Sequence, residues 1–560
     1  MSENIRLYME DWLYNSGIVG FYNILKESED EVTIKDNYIE FNPKVLENFE
    51  EKYFNYFINI YEETLAWHKI VSFEDFIKYH EDTDLKEFSS NSLDSLNKYI
   101  TDILKRYIKS NSYVAAYELI NSDVDILQLE KDITTIKLNK TQKLEDVLPE
   151  VKTTLSKIYK VIDYVKSDEA KRYLAAKNVI YNIIKNAWEG VSFLNRQPKE
   201  KDIYVDYRQY FIPPVMEYLG SDKKKFKYNC FTCDSEMKDF KNDLSFLNAT
   251  GFDVARKTSH VWDFNNDVAV CPICKLIYSC VPAGFTYVYD NGIYINDNSS
   301  LSNAIEANKK IKSEILKKHE VTRSLTYRAL VKSIQEQFTE NMKYELTDIQ
   351  VVRYENSKYR FNILTRDILD LIHKSKNSLN SLISAGYKEV NTYFNIYDLV
   401  IDSLFNTQNL FLIIHKLLIY KLSTPNDCYF NGLQLFNVMN INDKFMRGLG
   451  YMEKIDSEKD IVKDGNMQGY FLRKEYKEKK AESKLSGIAY RLLNALKVNS
   501  KDMFMDTLLN CYLYVRKPVP QIILEGLKDD VAFKTIGYAF VSGLIEGKEN
   551  TNNGGDSNVK

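Results

Sequence analysis

The sequence is poor in the residues that break or cross-link chains. Only 20 glycines and 10 prolines are spread over 560 residues, which excludes a collagenous, repetitive or largely disordered chain and leaves little room for long linkers. Histidine is scarcer still, at six. No His precedes an Asp and no His-Glu-x-x-His occurs, so HD-type and zincin hydrolases are disfavoured and few general bases remain. Long apolar runs are missing too. The greasiest, Leu410 to Leu422, is interrupted by His415 and Lys416 and falls short of the ~20 residues that span a bilayer, so it reads as a buried helix. The opening Met1-Ser2-Glu3-Asn4-Ile5-Arg6 carries no basic region ahead of an apolar one, so no secretory signal is expected and the localisation expected is cytoplasmic. Neither sign of charge dominates: 75 Lys and Arg against 79 Asp and Glu give -4. Nucleic-acid contact would therefore come from local patches, and histone-like wrapping is excluded.

With 44% hydrophobic and 28% charged residues, the chain can bury a large core, and its length suits roughly three to four domains. The expected fold class is α+β, predominantly helical: an N-terminal α/β region with an inserted four-cysteine zinc-binding segment, and a C-terminal helical bundle. The boundaries read are 1–220, 221–300 for the zinc-binding segment, 301–439 for a helical region with a hairpin, 440–550 for the bundle and 551–560 for a disordered tail. Val32 to Ile34 and Tyr38 to Phe41 around Lys35-Asp36-Asn37 predict a hairpin, because Asp and Asn tolerate turn backbone angles. Ser92 to Gly190 reads helical, with Pro149 as its one strong breaker. Hairpins are also predicted for Phe285 to Ile295 around Asp290-Asn291-Gly292, and for Ile349 to Ile363 around Glu355-Asn356-Ser357. In the bundle, Leu485, Ile488, Ala489, Leu492, Leu493 and Leu496 follow helical spacing, as do Phe504, Leu508, Cys511 and Val515 up to Pro518 and Pro520. A further helix, Phe533 to Leu544, follows Asp529 and Asp530 as candidate N-caps.

Chemistry concentrates in the cysteines. Four of the seven form Cys230-Phe231-Thr232-Cys233 and Cys271-Pro272-Ile273-Cys274. Two such knuckles supply the four-sulfur shell that Zn²⁺ prefers in structural sites, leaving no position open for substrate. Thirty-seven residues lie between the knuckles, more than in the usual zinc ribbon, so a folded or looped insertion is expected. His260 and Cys280 stand close enough in sequence to substitute as ligands, and a redox role for either pair is the other chemistry open to them. Gly543-Leu544-Ile545-Glu546-Gly547-Lys548 is too short for a P-loop and reads as a frayed helix end. Three basic groups suit phosphate contact. Lys223, Lys224, Lys225 and Lys227 alternate with Phe226 and Tyr228. Arg353, Lys358 and Arg360 lie on a predicted hairpin. Arg473, Lys477, Lys480, Lys484 and Arg491 share one face if the segment is a single helix. A merely solvated surface is the competing reading of each.

Trp12-Leu13-Tyr14-Asn15-Ser16-Gly17-Ile18-Val19-Gly20, the paired Cys-x-x-Cys, Tyr490-Arg491-Leu492-Leu493-Asn494-Ala495-Leu496 and Ala539-Phe540-Val541-Ser542-Gly543-Leu544 together resemble the CXXC-CXXC CRISPR-associated family, the large subunit of type I-B Cascade. That resemblance implies a non-catalytic subunit of an RNA-guided complex. Its partners would be guide crRNA, target double-stranded DNA with its displaced single strand, the backbone, guide 5'-end-binding and small subunits, and a recruited helicase-nuclease. The subunit would read a short flanking motif, the PAM, and aid R-loop formation. The resemblance also implies separate production of the C-terminal end as a small subunit by internal translation, with Met452 the favoured start and Met439 or Met446 the alternatives. An autonomous zinc-ribbon RNA-binding or RNA-processing protein, or a pure scaffold, are the competing classes.

Overall fold

Asp11 starts the first helix. Its carboxylate accepts from the backbone N–H of Leu13 at 2.7 Å and Tyr14 at 3.0 Å, satisfying donors that a helix start leaves unpaired. In the computed structural model, which describes residues 4–139, 142–248, 269–288, 291–316, 328, 331, 349–355, 357–452 and 460–546, this cap separates β1 (Ile5–Tyr8) from α1 (Trp12–Glu27). The chain then forms β2 (Val32–Ile34) and β3 (Tyr38–Phe41), the expected hairpin. β3 pairs antiparallel with both β1 and β2. The described residues are predominantly helical, with small sheets of two to four strands. They divide into two compact units, Met1–His319 with Gln350–Phe361, and Glu320–Ile349 with Asn362–Lys560.

In the first unit α1 lies at the centre, and α2 (Phe49–Tyr61), α3 (Leu144–Lys166), α4 (Asp168–Asn182) and α5 (Ile203–Gly220) complete the helical layers. Pro149 does not break the helical region as expected; it lies inside α3. A proline in a helix costs ~3 kcal/mol, whereas each buried aliphatic side chain returns about 1.5–3 kcal/mol, and α3 buries Val147, Val151, Leu155, Ile158, Val161, Ile162 and Val165. Packing therefore outweighs the lost hydrogen bond. After α5 come a short ribbon, β4 (Tyr228–Asn229) with β5 (Glu236–Met237), and then α6 (Pro272–Ser279) and α7 (Val281–Gly284). These segments are not a separate body: Cys230, Met237, Phe246 and Cys271 belong to the same apolar core as α1 and α2.

β6 (Thr286–Val288) and β7 (Asn291–Asp297) pair antiparallel as expected, and α8 (Leu301–Leu316) follows. The second predicted hairpin forms β8 (Ile349–Glu355) and β9 (Lys358–Leu364), in a sheet of order β6-β7-β8-β9. Buried Asn296 joins this sheet to α1, accepting from Asn15 Nδ2 at 3.1 Å, and its own amide donates to Gln350 at 3.0 Å.

The second unit holds a three-stranded sheet, β10 (Gly386–Glu389) between β11 (Thr392–Asn395) and β12 (Cys428–Tyr429). Around it lie α9 (Phe411–Ser423), α10 (Gly432–Gly448), α11 (Ile461–Glu478), α12 (Leu485–Lys497), α13 (Lys501–Val515) and α14 (Asp530–Ile545). The apolar run at 410–422 becomes α9, but it is buried on one face only. Ile414, Leu417 and Leu418 point inward while Leu412 is 80% exposed, since the helix has packing partners on one side. Asp529 caps α14, accepting from Val531 and Ala532. Gly543 lies in the last turn of that helix, which ends at Ile545 within the segment expected to be a helix end, and it is tightly packed: a Cβ there would stand 1.9 Å from the Asn466 carbonyl oxygen, and one on Gly469 would stand 1.9 Å from that of Phe540. Small residues on both helices let α11 and α14 cross backbone to backbone. The tail expected at 551–560 lies outside the described residues. No helix among the described residues is long and apolar enough to cross a membrane.

Candidate metal centre

The first knuckle turns the β4–β5 ribbon around Cys230 and Cys233. The N–H of Cys230 donates to Ser235 O at 2.8 Å and that of Asp234 to Cys230 O at 3.0 Å, with Asp234 in the left-handed region at φ 55°. Asp is one of the few residues that adopts this angle readily, so it suits the tight turn after the second ligand. The second knuckle is a helix start. Cys271 is the N-cap of α6 and its sulfur accepts from the N–H of Cys274 at 3.4 Å, with Pro272 in the first turn. The N–H of Cys271 in turn donates to Cys230 Sγ at 3.2 Å. Two thiolates thus lie at the positive end of a helix, where negative charge is favoured.

All four ligand sulfurs lie within 4.8 Å of one another. A tetrahedral zinc with bonds of ~2.3 Å requires sulfurs about 3.8 Å apart, and Cys233 Sγ and Cys271 Sγ stand 3.7 Å apart. All seven cysteines are free thiols. Crowding splits their acidities. Hydrogen bonding with Cys230, Cys271 and Cys274 holds the Cys233 thiol far below its ordinary range, contacts with Cys230 and Cys233 push Cys271 up, and burial pushes Cys274 up. Such a group ionises together only around a cation, and the donor set and spacing fit a structural Zn²⁺ held by Cys230, Cys233, Cys271 and Cys274. Cys280 is not part of the group. It is fully buried, with its sulfur 3.5 Å from Leu276 O. His260 lies outside the described residues.

Two hydroxyls beside the cluster fall outside the predicted ligand set. Ser235 Oγ is 3.2 Å from Cys233 Sγ and Tyr14 Oη is 3.3 Å from Cys274 Sγ. Ser235 follows the knuckle closely enough to be guessed; Tyr14 is separated from its sulfur by 260 residues. Burial raises the Tyr14 hydroxyl well above its ordinary range, so it is protonated and can donate.

The insertion between the knuckles begins by packing on the core. The N–H of Asn248 donates to Ala187 O at 2.9 Å, and Phe246 lies edge-on to Trp188 with ring centroids 6.1 Å apart. Trp188, fully buried, donates its indole N–H to Ser279 O of α6.

The three basic groups fare differently. Lys224, Lys225 and Lys227 are exposed on the approach to the first knuckle, while Lys223 Nζ lies 4.4 Å above the Tyr218 ring. On the β8–β9 hairpin, Lys358 and Arg360 face outward, but Arg353 is only 5% exposed and pairs with Glu355 at 3.3 Å. Both faces of β8 are covered, which places Arg353 inside. The group from Arg473 to Arg491 does not lie on one helix, contrary to the expectation. The chain leaves α11 after Glu478, takes φ 54° at Lys480, and restarts at Leu485. Arg473 donates to the last-turn carbonyl of Ile545 at 2.5 Å, and Arg473 and Lys477 both approach Glu482. Lys484 Nζ lies 4.8 Å above the Tyr514 ring; Lys480 and Arg491 are exposed.

Residues 223–286 match the family model described as CRISPR-associated protein (Cas_CXXC_CXXC), a span that contains both knuckles. No curated protein and no solved structure matches the chain.

Proposed function

We propose that this protein is the non-catalytic large subunit of a type I-B CRISPR RNA-guided surveillance complex, which recognises PAM-containing double-stranded DNA, aids R-loop formation and recruits a helicase-nuclease. The observation that carries the reading is the Cas_CXXC_CXXC domain at 223–286, whose four-cysteine centre is rooted in the core while Lys224, Lys225 and Lys227 stand exposed beside it. A rigid, metal-braced scaffold with cations on its rim suits a protein that holds phosphates while base pairing by the guide supplies sequence recognition. Outward-facing Lys358, Arg360, Lys480 and Arg491 are the further phosphate contacts in this reading. Guide crRNA, the other Cascade subunits and the displaced strand are its partners.

The bundle α11–α14 is proposed as the small-subunit-like module. A product initiated at Met452 would contain all four helices, and the tightest pairing among them, α11 with α14, would be intact. Gel shifts with PAM-containing and PAM-lacking duplexes, using the chain alone and within the assembled complex, test the main reading. PAM-dependent binding in the complex is the expected result. Equal binding to both duplexes, or preference for free RNA by the chain alone, would favour the autonomous zinc-ribbon RNA-binding class.

A further inference from the structure

The zinc site is usually thought of as closing only the segment that carries its ligands. Here one of its most deeply buried sulfurs meets a residue 260 positions away in the chain. Tyr14 is 1% exposed, and so is Cys274; their Oη and Sγ are 3.3 Å apart. Tyr14 has no freedom to withdraw. Asp11 caps the helix on which it stands, and its ring lies 5.3 Å from that of Tyr278, one turn beyond Cys274 on α6. A Cβ on Gly17 would lie 2.6 Å from the Ile277 carbonyl oxygen, and one on Gly284 would lie 2.0 Å from the Ser16 carbonyl oxygen. α1 therefore touches α6 and α7 backbone to backbone, which fixes its distance from the helix that carries Cys274.

A zinc-bound thiolate has no proton and can only accept, so in the metal-bound protein the hydrogen between these atoms belongs to tyrosine. We propose that Tyr14 is a positioning residue of the zinc centre: its hydroxyl donates to zinc-bound Cys274 and ties the N-terminal helix to the metal. A four-thiolate shell around Zn²⁺ carries two excess negative charges. The described donors that offset them are the N–H groups of Cys271 and Cys274, the Ser235 hydroxyl and this one. Of these, Tyr14 comes from outside 223–286. Zinc retention is then a property of the N-terminal unit, not of the cysteine segment alone.

The inference rests on the zinc site, so zinc content of the full chain is measured first; a chain without zinc overturns both. Given zinc, Tyr14→Phe is compared with Tyr278→Phe. The latter loses a hydroxyl from the neighbouring ring, one that contacts Thr232 at 3.0 Å. Groups supporting a ligand from outside the shell typically contribute 10–100-fold to metal affinity, so Y14F should transfer zinc to a chromophoric chelator about tenfold faster, and Y278F at the wild-type rate. Cobalt substitution supplies a readout that packing alone does not move. Losing a donor raises the energy of the sulfur electrons, so the sulfur-to-cobalt charge-transfer band should shift to lower energy in Y14F. With 3-fluorotyrosine placed at position 14, a stronger donor of nearly the same size, it should shift to higher energy. The fluorinated protein keeps the test open even if Y14F folds poorly. A band unmoved by fluorination, or zinc release from folded Y14F at the wild-type rate, overturns the proposal.

Discussion

A Cβ on Gly20 would stand 2.0 Å from the carbonyl oxygen of Cys280. No contraction of a flexible side chain can relieve this, because both partners are backbone, Cys280 being the residue that joins α6 to α7. Gly20→Ala must therefore push α1 away from α7, and overpacking of this kind costs about 1–3 kcal/mol or more. Urea unfolding of G20A should show a lowered midpoint. Gly220→Ala, at a position with open space around it, should leave the midpoint within error.

Cys271→Ser should remove the metal while keeping the cap of α6, because a serine hydroxyl can accept the Cys274 N–H in its place but leaves the shell one sulfur short. Structural zinc contributes on the order of 10 kcal/mol to the folding of such a segment. Elemental analysis should find no zinc in C271S, and limited proteolysis should open new cuts within 223–286. Chelator-stripped wild-type protein should show the same cuts and lose them when zinc is restored.

Replacing Lys223, Lys224, Lys225 and Lys227 by Ala should weaken binding of the assembled complex to PAM-containing duplex and flatten its salt dependence. Each lost phosphate contact lowers the slope of log affinity against log salt by about 0.9. Lys223 should contribute least, since its ammonium already rests on Tyr218. Unchanged slope across a salt titration would remove the group from the interface.

Lys312 supplies a pH dependence. Its side-chain nitrogen is buried against Tyr56 Oη and Ala283 O at 2.5 and 3.1 Å, and burial lowers its pKa from 10.5 to about 7. Between those values the unfolded chain holds a proton that the folded chain lacks, so this residue makes stability rise with pH from about 7, by at most about 1.4 kcal/mol per pH unit. Below about 7 the folded protein is protonated too and the slope disappears. Tyr56, pushed far up by burial, acts oppositely only as the unfolded tyrosine ionises near pH 10. Lys312→Met should therefore gain more over wild type at pH 7 than at pH 9, as read from the difference in urea midpoints. A pH-independent difference would contradict the burial of an uncharged amine.

Local chemistry made much of this fold legible. The β2–β3 hairpin, the Asp529 cap and the four metal ligands each depend on residues close in sequence, or on a spacing that only one coordination shell satisfies. Periodicity misled where two helices kept the same phase across a break: Arg473 to Arg491 have helical spacing, but the left-handed turn at Lys480 divides them. Nothing in the sequence signals that turn, because Lys rarely takes it and the buried Ala481 beside it is held by tertiary packing. Arg353 looked like a surface cation because strands usually alternate; here both faces of β8 are covered. Tyr14 was invisible for a different reason. Its partner is fixed by the crossing of α1 over α6 and α7, a contact between opposite ends of the first unit that no local pattern encodes.

The first unit is also discontinuous: it takes residues 350–361 after the chain has left it at 319. During synthesis, the ribosome therefore releases α1, the knuckles and β6–β7 before the strand that borders β7 exists. Until Gln350 arrives, one side of the Asn296 amide waits for its acceptor, and the apolar face of β7 waits for Val352 and Tyr354. Completion of the N-terminal half is thus timed by elongation through a stretch of the other unit, an interval in which an unpaired strand edge is open to aggregation.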